Sequence, residues 1–364
     1  MGALRIIHVA FITLEPMSGM GRIACEWRAA AQRNGIDFVH IGVEEVGPVR
    51  HRLLFPPKAR KLAESLATDR TVLLIHEPCG WAFRGMPCPK VGFSHGIELR
   101  AAEVERTFQD ISLKSKMTQP FMLWLGKRSL TAMDALLVSN TDDRNYLAGR
   151  GLRAEELVRV FRNGIDPVPT TAENIAAPDR EKTIVFNASW LRRKGTNVLI
   201  KAAVALAAQG IRPRWLLIGG GVPKEEILAD WPEALHADLT IIPAFQRSEE
   251  LTLISQAEIF VLPSYFEGQP LSLLQAMSVG LCCITSDCCG QKDIIRHGEN
   301  GLLFAPGREL ELATLIGQVW SDSRLRYDLG RKASDSMADR TWAQATDELM
   351  GWLGQAGDSA GFWK

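Results

Sequence analysis

The feature that most constrains the fold of this 364-residue chain is a repeated alternation of short apolar runs with longer segments of helical periodicity. The runs are rich in Val, Ile and Leu, and each is followed by Gly, Asn, Ser or Pro. Because they are apolar throughout rather than at alternate positions, they predict strands buried on both faces, as in parallel sheets. The sequence therefore predicts an α/β protein.

The alternation of predicted strands and helices runs through the first half of the chain, breaks off at residues 166–180 and then starts again. Residues 166–180 contain Pro167, Pro169 and Pro178, and we interpret them as an interdomain linker. The chain is therefore predicted to form two doubly wound, Rossmann-like domains, residues 1–168 and 169–364. The predicted strands are 5–12, 37–43, 71–77, 90–96 and 135–140 in the first domain and 183–189, 214–221, 239–245, 259–264 and 282–287 in the second.

Charge and cysteine content exclude some classes of protein. Lys and Arg together number 42, as do Asp and Glu, so global charge does not favour a nucleic-acid partner. Residues 1–168 carry 23 basic and 18 acidic residues, whereas the rest carries 19 and 24. Seven cysteines, four of them in adjacent pairs, make a poor disulfide framework. With no bilayer-length apolar stretch near the start, we expect a cytoplasmic protein, at most peripheral at the inner face of the membrane.

Ligands of open parallel sheets bind at the carboxyl ends of strands. After the predicted strand 259–264, a loop carrying Glu267 leads into a helix expected to begin near Gln269. Unpaired backbone N–H groups at Leu271 and Ser272 would then favour binding of an anion, and a diphosphate is the expected ligand.

The charge of Glu267 raises a difficulty for that interpretation. A carboxylate beside a diphosphate is repelled by it unless it accepts hydrogen bonds from hydroxyls next to the phosphate. A sugar nucleotide has such hydroxyls. The alternative is that Glu267 is a solvated loop residue, and the chemistry of the residues alone leaves both open.

The run Pro263-Ser-Tyr-Phe-Glu-Gly-Gln-Pro270 with Gln275-Ala-Met277 resembles the glutamate-x7-glutamate signature of retaining glycosyltransferases of family 4. Other pieces occur in the order that the family has them, so the resemblance runs nearly end to end. They are Gly19-Met-Gly-Arg22, Ser94-His-Gly96, Asn163-Gly-Ile-Asp166, Arg193-Lys-Gly195, Ile218-Gly-Gly-Gly221 and Asn300-Gly-Leu-Leu303.

The resemblance implies a glycosyltransferase B-type fold, in which two Rossmann-like domains face a cleft. It implies an acceptor-binding domain at 1–168, a sugar-nucleotide-binding domain at 169–364, and a final helix, about 342–353, packing back toward the first domain. The implied activity is retaining, hexosyltransferase-like transfer from a nucleotide-diphosphate sugar to a glycan or lipid-linked acceptor, in cell-surface polysaccharide or glycolipid synthesis. No cofactor or metal is implied.

The resemblance also assigns roles by position. Glu267 would contact the donor sugar hydroxyls, His95 would approach the transferred sugar, and Lys194 would clamp the diphosphate. The remaining donor-binding residues would be Gly268, Gln269, Leu271, Ser272, Gln275, Arg193 and Gly219. Gly19, Gly21 and Arg22 would form a loop for the acceptor or a phosphate.

Two positions depart from the family pattern. The second glutamate, which in the family takes the nucleotide ribose hydroxyls, is Gln275 here, and an arginine expected five residues before Lys194 is Ser189. An amide oxygen still accepts a hydroxyl, with a bond weaker than a carboxylate's by roughly 1 kcal/mol. Arg192 and Arg193 lie close enough in sequence to replace the missing guanidinium.

Alternative functions follow from these departures. A homologue that binds a nucleotide sugar or glycan without turnover is one, and a sugar-nucleotide epimerase of related fold is another. A nicotinamide dinucleotide site at Gly219 is disfavoured because the third glycine of its fingerprint falls on Lys224. A zinc site is disfavoured because the adjacent Cys282 and Cys283 of a strand point to opposite faces.

Two basic, apolar stretches of the first domain predict a membrane contact. They are residues 50–61, with Leu53, Leu54 and Phe55, and residues 114–128, with Phe121 and Trp124. Such segments lie on anionic lipid surfaces. The alternative is that both pack against the core of their own domain.

Overall fold

The computed structural model describes residues 3–16, 18–108, 113–168 and 183–358. The chain divides into two compact units, one formed by Met1–Gly164 with Trp342–Lys364 and the other by Ile165–Thr341. The N-terminal stretch of the first unit therefore ends at Gly164. Residues 169–180 of the predicted linker lie outside the described residues.

The first unit is built on a six-stranded parallel sheet of order β2-β1-β3-β4-β5-β6. Strand β1 lies between β2 and β3, and its Ile7 is in register with Val39 and Leu73. All five strand pairs are parallel. The strands are β1 (Arg5–Val9), β2 (Asp37–Ile41), β3 (Thr71–His76), β4 (Lys90–Ser94), β5 (Ala135–Val138) and β6 (Val158–Val160).

The helices of the first unit include one from the end of the described chain. The last of them, α14, packs on α1 and β3, with Asp347 accepting a hydrogen bond from Arg33 at 3.0 Å and Leu353 fully buried. The helices are α1 (Gly19–Arg33), α2 (Val43–Val46), α3 (Phe55–Leu66), α4 (Glu98–Phe108), α5 (Leu113–Thr131), α6 (Thr141–Gly149) and α14 (Trp342–Asp358).

The second unit has its own six-stranded parallel sheet, of order β12-β11-β10-β7-β8-β9. Large apolar side chains such as Phe186, Trp215 and Phe260 fill its interior. The strands are β7 (Thr183–Asn187), β8 (Arg214–Ile218), β9 (Leu239–Ile242), β10 (Ile259–Leu262), β11 (Cys282–Ser286) and β12 (Leu302–Phe304). The helices are α7 (Thr196–Ala208), α8 (Lys224–Asp230), α9 (Arg247–Ile254), α10 (Leu271–Ser278), α11 (Cys289–Lys292), α12 (Glu309–Ser321) and α13 (Ser323–Asp335).

The predicted α/β class with two parallel sheets is confirmed, and all ten predicted strands exist. Each ends one to three residues earlier than predicted, because the residues that follow leave the sheet to form the loop, whether they are polar, as Ser139 and Asn140 after β5, or apolar, as Phe11 and Ile12 after β1. Strands β6 and β12 were not predicted. Each is an edge strand of three residues, too short to show a period.

Candidate active site at the sheet of the second unit

The order of the second sheet places two loops side by side. Strands β7 and β10 are neighbours, although β8 and β9 continue on one side and β11 and β12 on the other. At such a switch point the loops leaving the two strands diverge and open a crevice, which is where α/β proteins bind ligands. Lys194 follows β7, and Glu267 follows β10.

Backbone contact holds these two loops together. Gly195 has a φ of +74°, and a Cβ atom there would lie 1.9 Å from the carbonyl oxygen of Pro263. The backbone N–H of Tyr265 donates to the carbonyl of Arg193 at 2.9 Å. The glycine is therefore required both for the left-handed turn and for the close approach.

This packing brings Lys194 and Glu267 into a buried ion pair. The ammonium Nζ lies 2.6 Å from Oε1 and 2.8 Å from Oε2 of Glu267. The hydroxyl of Ser264, at the end of β10, donates to Oε1 at 2.7 Å. Only 6% of the Glu267 side chain is exposed. The carboxylate is thus held rigidly, with its charge compensated by one ammonium.

The amino end of α10 lies beside this pair. The helix begins at Leu271 with Pro270 as its N-cap, two residues later than the expected start near Gln269. Pro270 makes no side-chain cap, and the N–H groups of Leu271 and Ser272, in the first turn, have no acceptor within the helix. A Cβ at Gly290 would lie 1.8 Å from the carbonyl oxygen of Gly268, so the loop before α10 packs tightly on α11.

Other predicted donor residues lie on neighbouring loops of the same sheet edge. Gly219 follows β8 with a φ of +70°, and a Cβ there would be 3.1 Å from the ring of Phe245. Arg192 and Arg193 have exposed side chains in a 3₁₀ turn directly before Lys194. Both cations lie on the loop after β7, on which Ser189 also lies.

Gln275 lies one turn along α10, and 3% of it is exposed. Its Nε2 faces Asp166 Oδ2 at 3.4 Å. Asp166 in turn accepts hydrogen bonds from Arg247, the first residue of α9. Asp166 and Ser264 lie within motifs of the sequence but were given no role in the site, and Arg247 lies in none of those motifs. Ser264 could have been found, because it ends a predicted strand three residues before Glu267.

In the first unit, the predicted glycine loop is the start of a helix. Gly19 and Gly21 belong to the first turn of α1, and Ser18 is its N-cap, accepting from the Gly21 N–H at 3.0 Å. A Cβ at Gly21 would lie 2.0 Å from the Glu15 carbonyl oxygen, so close packing demands glycine there. Arg22 is buried rather than a surface residue.

His95 follows β4 and ends a row of four histidines across the first sheet. His8 Nδ1 lies 2.9 Å from His40 Nδ1, and His8 Nε2 lies 2.9 Å from His76 Nε2. The rings of His76 and His95 pack at 5.0 Å between centroids. Within the described residues, the buried Nε2 of His95 has no hydrogen-bond partner.

Burial makes these histidines weak bases. Loss of solvent lowers the pKa of His8 and His76 well below 6.5, with a smaller contribution from neighbouring imidazoles, and lowers the pKa of His95 to about 3. The pKa of Glu77, which directly follows β3, is shifted in the opposite direction, upward. Burial, reinforced by Glu98, raises its pKa to about 8 despite the 2.7 Å hydrogen bond from Ser94.

The family model described as glycosyl transferases group 1 matches residues 168–336, nearly the whole second unit. Residues 168–336 belong to that family. This confirms the family to which the motifs around Glu267 point.

Relatives of the group 1 glycosyltransferase domain agree with this assignment. The lipopolysaccharide 1,6-galactosyltransferase of Salmonella typhimurium is 29% identical over 184 residues, 49% of this chain and 50% of its own. The chain spans about half the length of the curated relatives that it matches.

Solved structures show the fold of the whole chain. Sucrose-phosphate synthase from Thermosynechococcus elongatus has a TM-score of 0.77 at 20% identity and covers 97% of this chain and 98% of its own. Anabaena HepE in complex with UDP and glucose has a TM-score of 0.67 at 15% identity, covering 96% and 99%. The fold is thus the glycosyltransferase B type.

The cysteines of the glycosyltransferase domain are not arranged as a metal centre. Burial raises the pKa of Cys282 to about 12 and that of Cys283 well above its usual 9, so both are protonated thiols at neutral pH. Across the described part of the chain, no three His, Cys, Asp or Glu side chains are grouped to hold an ion. Within the same residues, no helix has the length and apolarity needed to cross a bilayer.

We expect Gly195→Ala to disrupt the contact between the two loops. Gly210 serves as the matched control, since its φ is +76° and a Cβ there meets nothing within 4 Å. The left-handed backbone costs alanine about 1–2 kcal/mol at either position. At Gly195 the clash adds about 1–3 kcal/mol, as in overpacked sites. Urea unfolding of both variants measures the difference, and equal losses would contradict this role of Gly195.

We expect the stability of the first unit to be greatest near pH 6.5. Below that pH the unfolded chain binds protons that buried His8, His76 and His95 do not, so stability falls with falling pH. Above it, folded Glu77 keeps a proton up to about pH 8 that the unfolded chain has lost, so stability falls as pH rises.

Thermal unfolding between pH 5.5 and 8.5, bounds set about the pKa values above, tests this prediction. Glu77→Gln should flatten the alkaline limb and steepen the acid limb, because folded Glu77 keeps an extra proton from about pH 4.5 to about pH 8 and so opposes the effect of the histidines below pH 6.5. Glu64→Gln, at an exposed pair with Arg60 on α3, is the control and should change neither. An alkaline limb that persists in Glu77→Gln would assign the effect to another group.

Proposed function

We propose that the protein is a retaining glycosyltransferase that moves a sugar from a nucleotide-diphosphate donor to a hydroxyl of a glycan or lipid-linked acceptor. The observation that carries the proposal is the buried Lys194–Glu267 pair beside the bare amino end of α10. In this proposal the second unit binds the donor and the first unit binds the acceptor. Relatives such as the lipopolysaccharide galactosyltransferase support a role in cell-surface polysaccharide or glycolipid synthesis.

The ion pair removes the electrostatic objection to a carboxylate at a diphosphate site. Lys194 binds both oxygens of Glu267, so an arriving diphosphate meets an ammonium and helix N–H groups rather than an uncompensated negative charge. Ser264 fixes the carboxylate, which then accepts hydrogen bonds from sugar hydroxyls. The same ammonium, with exposed Arg192 and Arg193 nearby, would stabilise the negative charge that develops on the leaving phosphate.

In the proposed reaction the bond between the anomeric carbon and the diphosphate oxygen breaks, and the acceptor oxygen bonds to that carbon on the same face. The acceptor hydroxyl proton passes to the departing phosphate oxygen, so nucleoside diphosphate is released and no enzymic nucleophile is needed. No metal or cofactor takes part in this proposal. His95 remains a proposed contact to the transferred sugar.

Substitutions at the ion pair test the proposed function. Lys194→Ala leaves Glu267 buried without its partner, which should destabilise the protein by about 3–5 kcal/mol and abolish stabilisation by nucleoside diphosphate. Glu267→Gln should abolish turnover. The double variant, Lys194→Ala with Glu267→Gln, removes both charges, so we expect it to regain stability and not activity.

Thermal unfolding with and without UDP, GDP or ADP, together with nucleotide release from a panel of sugar nucleotides, measures both effects. Lys201→Ala is the control, because Lys201 lies on α7 in an exposed pair with Glu309 at 3.6 Å. Nucleotide binding without release would favour a non-catalytic binding protein, whereas conversion of the donor without acceptor would favour an epimerase. Full turnover in Glu267→Gln would contradict the assignment of Glu267 to the active site.

We also propose that α5 contacts an anionic membrane surface, where a lipid-linked acceptor would be found. Met117, Phe121 and Trp124 recur at helical spacing and are at least half exposed. The rings of Phe121 and Trp124 stack at 5.9 Å, and Arg128 lies over Trp124 at 4.7 Å. The companion stretch at 50–61 contributes less, because its Phe55 is buried in the core.

Flotation with phosphatidylcholine vesicles, with or without phosphatidylglycerol, tests this surface at low salt. We expect flotation only with the anionic lipid, and we expect Phe121→Ser with Trp124→Ser to abolish it. The matched control is Leu310→Ser with Tyr327→Ser, which removes two large side chains from the second unit that are also at least half exposed. Equal flotation of the two double variants would contradict the proposal.

A further inference from the structure

Two consecutive cysteines, Cys288 and Cys289, follow β11 at the start of α11. Cys288 is partly exposed, whereas only 1% of Cys289 is exposed, and neither takes part in a disulfide bond. The segment 288–291 lies against the loop that carries Glu267. A chemical change at these thiols would therefore act next to the candidate donor site.

The backbone directs both thiol side chains to one side. Cys288 is extended, with a φ of −149° and a ψ of 149°, and Cys289 has a left-handed φ of +48°. When an extended residue precedes a left-handed one, both Cβ atoms lie on the same side of the peptide plane that joins them. Two consecutive strand residues instead point to opposite faces, as Cys282 and Cys283 do in β11. Of the two adjacent pairs, only Cys288 and Cys289 can approach each other.

Cys289 adopts a backbone conformation that favours glycine. Among the described residues, it is the only one other than glycine with a positive φ. Glycine adopts this conformation at no steric cost, whereas the Cβ atom of a cysteine makes it unfavourable. Strained residues of this kind cluster at functional sites. The thiol of Cys289 is the group that a glycine here would not supply.

The thiol of Cys288 is a hydrogen-bond donor. Its Sγ lies 3.0 Å from Oε1 of Gln291 and 3.4 Å from the carbonyl oxygen of Ser264. Both oxygens can only accept, so the S–H group supplies the hydrogen. A disulfide sulfur has no hydrogen and would face two oxygen lone pairs. Oxidation of Cys288 therefore replaces attraction by repulsion beside Ser264, whose hydroxyl holds the carboxylate of Glu267.

The same segment supports both ends of the loop that carries Glu267. Gly290 packs so closely on Gly268 that a Cβ atom there would lie 1.8 Å from the Gly268 carbonyl oxygen. Gln291 is fully buried and donates from Nε2 to the carbonyl of Leu262, the last residue of β10, at 2.8 Å. A movement of this segment is thus transmitted to the loop at both ends.

We propose that Cys288 and Cys289 are a modification site at which a peroxide forms a vicinal disulfide and thereby weakens donor binding. Hydrogen peroxide oxidises the partly exposed Cys288 to a sulfenic acid, and water leaves. The thiol of Cys289 then attacks that sulfur, the S–S bond forms and a second water leaves. Two thiols and one peroxide thus give one disulfide and two molecules of water. The effect on binding rests on the proposed nucleotide donor.

Such a disulfide would be easy to reduce. The Cα atoms of adjacent residues are about 3.8 Å apart, whereas most disulfides join Cα atoms about 4.4–6.8 Å apart. The resulting strain makes the bond more reducible, as in labile regulatory disulfides. A dithiol such as dithiothreitol should therefore reverse the modification.

Peptide mass analysis tests the chemistry. After peroxide treatment the protein is alkylated in denaturant and cleaved before Asp287 and Asp293, which separates the two cysteine pairs. We expect peptide 287–292 to be unalkylated and lighter by two hydrogen atoms. Cys282 and Cys283 are the matched control and should both be alkylated, because they lie on opposite faces of β11.

Calorimetric titration with UDP, GDP and ADP tests the effect on the site. We expect oxidation to weaken nucleotide binding by about tenfold or more, as the loss of one charge-assisted hydrogen bond predicts, and dithiothreitol to restore it. Cys288→Ser keeps a hydrogen-bond donor and should resist peroxide. Cys289→Gly suits the left-handed backbone, so it should fold and form no disulfide. Cys25→Ser removes a partly exposed thiol of α1 and should remain sensitive.

Two results would overturn the inference and leave the proposed function intact. One is alkylation of both thiols of peptide 287–292 after peroxide treatment, which needs no variant. The other is a disulfide-bonded protein that binds nucleotide as tightly as the reduced protein does. If the reduced protein binds none of the three nucleoside diphosphates, the proposed function is overturned, and the control of donor binding with it.

Discussion

The site depends on one backbone contact, the approach of Gly195 to the carbonyl of Pro263. It joins the loop after β7 to the loop after β10 and so places Lys194 against Glu267, 73 residues later in sequence. A buried ion pair gains little net stability over apolar packing, but removing one partner is costly. The pair is therefore better understood as a preorganised arrangement of charge than as a source of stability. Its strict geometry fits a site that must recognise a charged ligand.

Both sheets use the same principle to place polar groups. In the second unit the candidate residues follow β7, β8 and β10, on either side of the switch point. In the first unit the corresponding switch lies between β1 and β3, where Ser18 to Arg22 and Glu77 follow the strands. Buried histidines, Glu77 with its raised pKa and the buried Arg22 occupy that edge, whereas the edge of the second unit carries the exposed Arg192 and Arg193. The two edges therefore suit different ligands.

Local patterns in the sequence were sufficient to predict the ten longer strands and most candidate residues. Glu267, Lys194 and Gln275 could be predicted because each lies in a motif just after a strand or in the following helix. Asp166 and Arg247 could not be assigned, since their relation to Gln275 depends on tertiary packing over more than 80 residues. The start of α1 at Gly19 was missed because glycines favour a loop locally, while the Ser18 cap and close packing on Glu15 override that preference.

The return of α14 to the first unit has a consequence for biosynthesis. The second unit is one uninterrupted stretch, Ile165–Thr341, inserted into a first unit made from two stretches. During synthesis on the ribosome, every strand of the inserted unit is made before α14. The surface of α1 on which α14 packs therefore stays exposed to solvent until α14 has been synthesised. The unit that begins first is completed last.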